Sequence, residues 1–398
     1  DDRIMIKIAL LTATRAEYGL MRPLIDRMNQ DSEIDLQLVV TGTHLAEQYG
    51  MTIREIENDG NKIAEKIPVL SEKEGALAVS ETMANALVKF TEYFQRNKPD
   101  FLMVDGDRYE TLAVCVAAVN SNVPIIHLYG GATTEGAADE CYRHAITKMS
   151  YLHFTSMDVY RNRIIQMGES PERVFAVGSL GIENIRKTKL LSKDALENEL
   201  GFKLDLPYCV ITFHPVTLEK NTAQEQVRQL LLACDRMPEY KFIFTKANAD
   251  CDGNIINNML ETYAEKHTAR AICVSSLGAV RYLSALRYCS FVMGNSSSGL
   301  IEAPSFGIPT INIGNRQKGR VQADSVLNCT PESNEILKCV RQAEEKRFRE
   351  KCKTVINPNG DGYTSERIVQ SLKDYLKNNR VNIEKKFYDL KVDTNLVE

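Results

Sequence analysis

Short apolar runs alternate along this chain with stretches whose apolar residues recur every three or four positions. In the first half the runs are IKIALLT, LQLVVTG, FLMVDG, VPIIHL, YLHFTS and RVFAVGS. Runs of this length, bounded by Gly, Pro or Asp, predict buried strands, and the periodic stretches between them predict helices. The clearest helix is 76–97, where Leu77, Ser80, Met83, Ala84 and Leu87 fall on one face. Residues 180–206 are charged and polar, and read as a connecting region with short helices. The alternation then restarts with YCVITFHP, KFIFT, RAICVS, CSFVMGN and IPTINIG. Two such blocks predict an α/β protein: two Rossmann-like domains with parallel sheets, whose ligand lies in a central cleft beyond the carboxyl ends of the strands. The expected divisions are 1–182, 183–361, and a C-terminal helix and tail at 362–398 returning to the first domain. The charged helical patterns near 331–352 and 362–378 are both read as crossing back.

Composition narrows the classes. The chain has 398 residues, 43% hydrophobic and 26% charged, and a formal net charge of −4. No basic stripe is present, so nucleic acid is not an expected partner. No apolar run reaches the ~18 residues of a membrane span, and nothing at the start reads as a secretory signal. DDRIM reads as an added leader, with Met5 as the natural start. The ten cysteines are scattered singly with no CxxC pair, which suggests reduced thiols in the cytoplasm and no metal site. No GxGxxG follows the first strand, so a nicotinamide dinucleotide is not supported.

The candidate chemistry gathers at predicted strand ends. GNSSSGLIEAPSFGIP (294–309) runs from a strand through Asn-Ser-Ser-Ser-Gly into a helix. Free N–H groups and hydroxyls at a helix start suit a phosphate. Glu302, one to two turns on, could accept from ribose hydroxyls; the plainer alternative is a serine cap on a core helix. Arg15, in TATRAEYG, sits where a phosphate-binding guanidinium belongs, unless it is a solvated loop residue. Asp107 and Arg108, in VDGDRYE, suit acid–base work beside a phosphate, or form a structural ion pair. His214, in ITFHPV, ends the first strand of the second block, and Arg316 follows its last. The stretch HLYGGATTEGAADECYRH (127–144) opens on glycines and ends in bunched acids and bases, yet its first half holds no acid.

Taken in order, TATRAEYG, TGTHLAEQYG, GDRYE, EGAADECYRHAITKMSYLHF, ITFHPVTLE, GNSSSGLIEAPSFGIPTINIGNRQKGR and NPNGDG resemble the UDP-N-acetylglucosamine 2-epimerase family, nearest its hydrolysing, N-acetylmannosamine-forming branch. The motifs span residues 12–362. The resemblance implies a GT-B fold closing on a nucleotide sugar, with no cofactor, and a homo-oligomer, dimer or tetramer. It implies that Arg15 and Arg108 hold phosphates, that Ser296 and Ser297 bind the diphosphate, that Glu302 takes the ribose, and that Arg316 closes over the nucleotide. Asp107, Asp139 and His214 match catalytic positions, and His44 and Asn248 match positions near the substrate. The chain departs from the family pattern at HLYGGA, where Tyr129 and Ala132 stand in place of acid–base groups. That departure implies lowered turnover, with Glu135 as the nearest substitute acid.

Three other readings compete. The same reaction on UDP- or GDP-linked N,N′-diacetylbacillosamine would use apolar room near Tyr129 and Ala132. A non-catalytic nucleotide-sugar binder would keep the nucleotide site alone. A GT-B glycosyltransferase would need an acceptor surface, and none is evident in the sequence.

Overall fold

The computed structural model describes residues 5–73, 75–133, 138–215, 222–246, 253–275 and 277–391. The chain divides into two compact units: one runs to Asn184 and resumes at Gly362, and the other spans Ile185–Asp361. Glu135 and Asn248 lie outside the described residues.

The first unit holds β1 (Ile6–Thr12), β2 (Ile34–Thr41), β3 (Ile63–Ile67), β4 (Phe101–Asp105), β5 (Ile125–Leu128), β6 (Leu152–Thr155) and β7 (Val174–Ala176). Their order is β3-β2-β1-β4-β5-β6-β7, and every pair is parallel. Ile8 and Leu10 pack on one face of the sheet, and Ala9 and Leu11 on the other. A strand covered on both faces must be apolar at every position, which is why β1, β4 and β5 read as unbroken runs. β3 is an edge strand that alternates with Glu65 and Lys66, so no apolar run announced it.

The helix Gly75–Asn97 forms as expected, but its buried stripe is Thr82, Ala86, Phe90, Tyr93 and Phe94. Leu77, placed on the inward face by its spacing, is 63% exposed. The aromatic half of the helix outweighs the aliphatic half, because burying a Phe or Tyr removes more apolar surface from water.

The second unit holds β8 (Tyr208–Thr212), β9 (Lys241–Thr245), β10 (Ala271–Val274), β11 (Phe291–Gly294), β12 (Thr310–Ile313) and β13 (Val326–Cys329). The order is β10-β9-β8-β11-β12-β13, again all parallel. β13 is a second unannounced edge strand. The helices Ser333–Glu344 and Lys346–Lys353 do not cross back as expected. Ile336, Leu337 and Val340 belong to the core of the second unit, where they cover the sheet.

The helix Thr364–Asn378 rejoins the first unit, and the chain after it stays there. Ile368, Val369, Leu372 and Tyr375 enter its core. Ser365 donates from its backbone N–H and its hydroxyl to Glu183, each at 2.6 Å. Beyond the helix, Lys385 donates to the carbonyls of Lys148 (2.8 Å) and Ser150 (2.7 Å) and to Glu169 (2.9 Å). Glu169 is fully buried and also meets Lys148 at 2.7 Å and His153 at 3.3 Å.

Among the described residues, no helix is long and apolar enough to cross a membrane, nine cysteines are free, and no group of three or more His, Cys, Asp or Glu could hold a metal ion.

Burial pushes the Glu169 carboxyl up, but the hydrogen bonds from His153, Lys148 and Lys385 outweigh it and hold the pKa at about 2. A depressed acid contributes stability above its unfolded pKa and loses it as pH falls through the folded value. Glu169→Gln should therefore cost about 3 kcal/mol at neutral pH, the scale of a broken buried ion pair. The deficit should shrink as pH falls from 4.5 towards 2. Urea unfolding of both proteins across that range checks it.

Candidate functional site

In each sheet the chain runs outward from its first strand and then returns across it. The switch points are therefore between β1 and β4, and between β8 and β11. Loops part there and leave room beyond the strand ends, the usual place for a ligand.

At the first switch point Thr14 caps the helix Arg15–Asn29 in a capping box. Its hydroxyl accepts from Glu17 N (3.3 Å), and Glu17 Oε2 accepts from the N–H groups of Ala13 (2.8 Å) and Thr14 (3.1 Å). Glu17 Oε1 is buried without a partner. Burial drives the Glu17 pKa up to about 7, against the Ala13 N–H and with help from the Glu110 carboxylate. Asp105, at the end of β4, is 7% exposed. Burial, then the charges of Glu17 and Asp107, raise its pKa well above the usual range. Sequence reasoning missed both residues: the capping spacing of Glu17 signals a helix start, and Asp105 reads as the last residue of a strand.

Asp107 is one end of a network. Arg143 donates to its Oδ2 from Nε at 2.9 Å and also from Nη2. Arg143 is only 5% exposed. Its Nη1 donates to the Ala132 carbonyl and to Glu140 Oε2, both at 3.0 Å. Glu140 Oε1 meets His144 Nε2 at 2.9 Å. Glu140, Arg143 and His144 share one face of the helix Ala138–Met149 because they lie three and four residues apart. Asp139, expected among the catalytic groups, is exposed on the first turn and takes no part in this network. Arg108 donates from Nε to Glu110 Oε1 at 2.5 Å, and Glu110 is fully buried.

Three predicted or notable residues turn out to be braces. His44 bridges Thr12 (3.0 Å) and Thr52 (2.8 Å), with its pKa pushed down to about 4 chiefly by burial. It therefore ties the β2 loop to β1 as a neutral ring. His127 spans the Gly106 carbonyl (2.8 Å) and Thr147 (3.1 Å), and burial lowers its pKa to about 3. Tyr129 holds a φ of 64°, rare for a side-chain-bearing residue. Its ring packs on the core, and its hydroxyl accepts from Leu180 N at 2.5 Å. Burial pushes that hydroxyl well above the usual tyrosine range, so it stays protonated. Arg15 is exposed and pairs with Glu55 at 2.8 Å.

At the second switch point Asn295 joins the two strand ends. Its Oδ1 accepts from His214 N (2.7 Å), and its Nδ2 donates to the His214 carbonyl (2.8 Å). Its backbone N–H donates to the Thr212 carbonyl at 3.1 Å. Its own carbonyl accepts from Arg316 Nη1 (3.2 Å) and Gln317 Nε2 (2.9 Å). His214 and Arg316 are thus brought to the same loop. Gly294 has a φ of 132°, and a Cβ there would run into the Thr212 carbonyl.

The expected helix after the serines is a single turn, Ser298–Ile301, closed by Glu302 and followed by the 3₁₀ turn Ala303–Phe306. Ser297 stands at the cap position, but its side chain makes no capping bond. Ser298 donates to Glu302 Oε2 and accepts from the Tyr282 hydroxyl at 2.6 Å. Burial raises the Glu302 pKa, and the Ser298 bond opposes the rise.

Two parallel α/β sheets, each with polar groups collected at its switch point, make this a GT-B-type α/β fold. The chain matches the UDP-N-acetylglucosamine 2-epimerase family over residues 26–373, and it belongs to that family. It is 39% identical over 344 residues (86% of this chain, 89% of the relative) to the Campylobacter jejuni GDP/UDP-N,N′-diacetylbacillosamine 2-epimerase (hydrolyzing). It is 38% identical over 387 residues (97% and 98%) to the Escherichia coli polysialic acid biosynthesis protein P7. The Legionella pneumophila UDP-N,N′-diacetylbacillosamine 2-epimerase (hydrolyzing) is 36% identical over 367 residues (92% and 95%). In fold it is similar to the Neisseria meningitidis UDP-GlcNAc 2-epimerase bound to UDP-GlcNAc, with a TM-score of 0.77 at 19% identity, covering 92% of this chain and 100% of that one.

Gly294→Ala should destabilise the protein by about 2–4 kcal/mol, since a Cβ must displace the β8 backbone or unseat Asn295. Denaturant unfolding measures it; a loss below about 0.5 kcal/mol would show that the loop has slack.

Proposed function

We propose that the protein is a hydrolysing 2-epimerase of UDP-N-acetylglucosamine, giving UDP and N-acetylmannosamine. The network Asp107–Arg143–Glu140–His144 at the ends of β4 and β5 is the observation that carries this reading. It offers a carboxylate fixed in place by a buried guanidinium, backed by a second carboxylate and an imidazole. In the proposed reaction a base removes the C2 proton while the C1–O bond to UDP breaks. The C2–H electron pair becomes the C1=C2 bond of a glycal, and the diphosphate leaves with the C1–O pair. Water then adds at C1, and a proton returns to C2 from the opposite face. Atoms and electrons balance without a redox partner. Two proton transfers on opposite faces call for at least two acid–base groups, here Asp107 and His214. Ser296, Ser297, Arg15, Arg108 and Arg316 are assigned to the phosphates, where charge develops as UDP leaves. Glu302 is assigned to the ribose.

The names of the Campylobacter and Legionella relatives favour a second reading, the same chemistry on a diacetylated bacillosamine nucleotide. Incubation with UDP-N-acetylglucosamine and with the diacetylated analogue, followed by NMR, separates the two. Release of free N-acetylmannosamine supports the first reading. A product from the analogue alone overturns it in favour of the second.

Four substitutions probe the roles. Asp107→Asn and His214→Ala should lower turnover by about 10²–10⁴-fold while UDP still binds. Ser296→Ala and Arg316→Ala should weaken UDP by roughly ten- to a hundredfold in calorimetry. Unchanged values would remove each assignment.

Position 132 is the last test of this reading. The Tyr129 hydroxyl, kept protonated by burial and bonded by Leu180 N, is a poor base, and Ala132 offers only a methyl group, so neither can take a proton from the sugar. The Ala132 carbonyl nevertheless accepts from the guanidinium that holds Asp107. An acid on this residue would stand beside the proposed base. Ala132→Glu should raise turnover by roughly 10²-fold. A fully active wild type that gains nothing from Ala132→Glu, and fails on Glu135→Gln, would move the role to Glu135.

A further inference from the structure

Glu302 is oriented from one side only. Its Oε2 accepts from Ser298, while Oε1 makes no hydrogen bond among the described residues. Behind Ser298 stands Tyr282, on the helix Gly278–Tyr288, whose hydroxyl lies 2.6 Å from Ser298 Oγ. The three groups form a chain with only one consistent polarity. Ser298 gives its single hydroxyl proton to Glu302 Oε2. The Ser298 oxygen can then only accept from Tyr282, whose hydroxyl burial keeps protonated. Each donor polarises the next, so the bond to Glu302 is stronger than an isolated serine would make it.

We propose that Tyr282 is a positioning residue for the nucleotide: acting through Ser298, it holds Glu302 Oε2 so that Oε1 faces the ribose hydroxyls. This rests on the assignment of Glu302 to the ribose. Without Tyr282, the Ser298 hydroxyl is free to rotate towards the backbone, as serines near helix starts do. Glu302 then loses its fixed direction but keeps its carboxyl group in place. The effect belongs to ribose hydroxyl recognition and leaves the phosphate contacts untouched.

Calorimetry on the full chain with UDP and with 2′,3′-dideoxy-UDP tests this. The readout is the ratio of the two affinities, which cancels any general loosening of the site. The wild type should prefer UDP by about tenfold or more, the value of one charge-assisted hydrogen bond. Glu302→Ala should bring the ratio close to one. Tyr282→Phe, which keeps the ring, should lower the ratio at least about threefold and leave dideoxy-UDP binding unchanged. Ser298→Ala should do the same, and the double variant should be no worse than Ser298→Ala alone, because both changes break one relay.

The failures are distinguishable. A wild-type ratio near one, or a ratio that survives Glu302→Ala, overturns the ribose assignment itself. A ratio lost in Glu302→Ala but kept in Tyr282→Phe overturns only the role of Tyr282. So does an equal loss for both nucleotides, which would mark Tyr282 as plain packing. If Tyr282→Phe is insoluble, Ser298→Ala reads the same relay, and an unchanged ratio there overturns the proposal.

Discussion

A parallel sheet makes the chain leave every strand at the same end. Wherever the winding reverses, two neighbouring loops part, and the backbone groups there lose their ladder partners. The structure has two such places; at β8–β11 one buried polar side chain joins the parting loops, and next to the β1–β4 place another joins the loops after β4 and β5. Asn295 bonds both backbone groups of His214, so the loops after β8 and β11 behave as one piece. Arg143 ties Asp107 after β4 to the Ala132 carbonyl after β5. A buried amide or guanidinium is costly unless its bonds are made. The residues that fix the site are therefore also residues whose loss would unsettle the fold around it.

Burial sorts the ionisable groups into two kinds. His44 and His127 are driven neutral and serve as struts between loops. Glu17 and Asp105 are driven towards the protonated form at the β1–β4 switch point, which limits the negative charge gathered beside Asp107. Asp107 has a guanidinium for company instead. The same desolvation thus acts in opposite directions on the pKa values of acids and bases, and in both cases favours the uncharged form.

The loop 127–133 shows how scaffold and chemistry share one segment. His127 and Tyr129 point their polar atoms at Gly106, Thr147 and Leu180, which seats the loop. Both side chains are therefore occupied in holding the backbone. The group that meets Asp107, Arg143, comes from the helix that follows, with Glu140 and His144 behind it.

Much of this was legible in the sequence. Strands covered on both faces appear as apolar runs, and their spacing predicts two parallel blocks. Loop positions after those runs pointed to Asp107, His214, the serines and Arg316, because a strand end fixes where its next residues lie. The edge strands β3 and β13 were not legible, since β3 is broken by Glu65 and Lys66 and β13 is a half-exposed run of only four residues. The buried stripe of Gly75–Asn97 was misread, because periodicity shows that a helix has faces but not which one a neighbour covers. The pairing of Asp107 with Arg143, 36 residues apart, could not be read either, nor the relay from Tyr282 to Glu302. Sequence spacing determines what a strand or helix presents at its own ends and faces. Which of those groups meet is decided only when separate elements pack, because that depends on distances no local pattern contains.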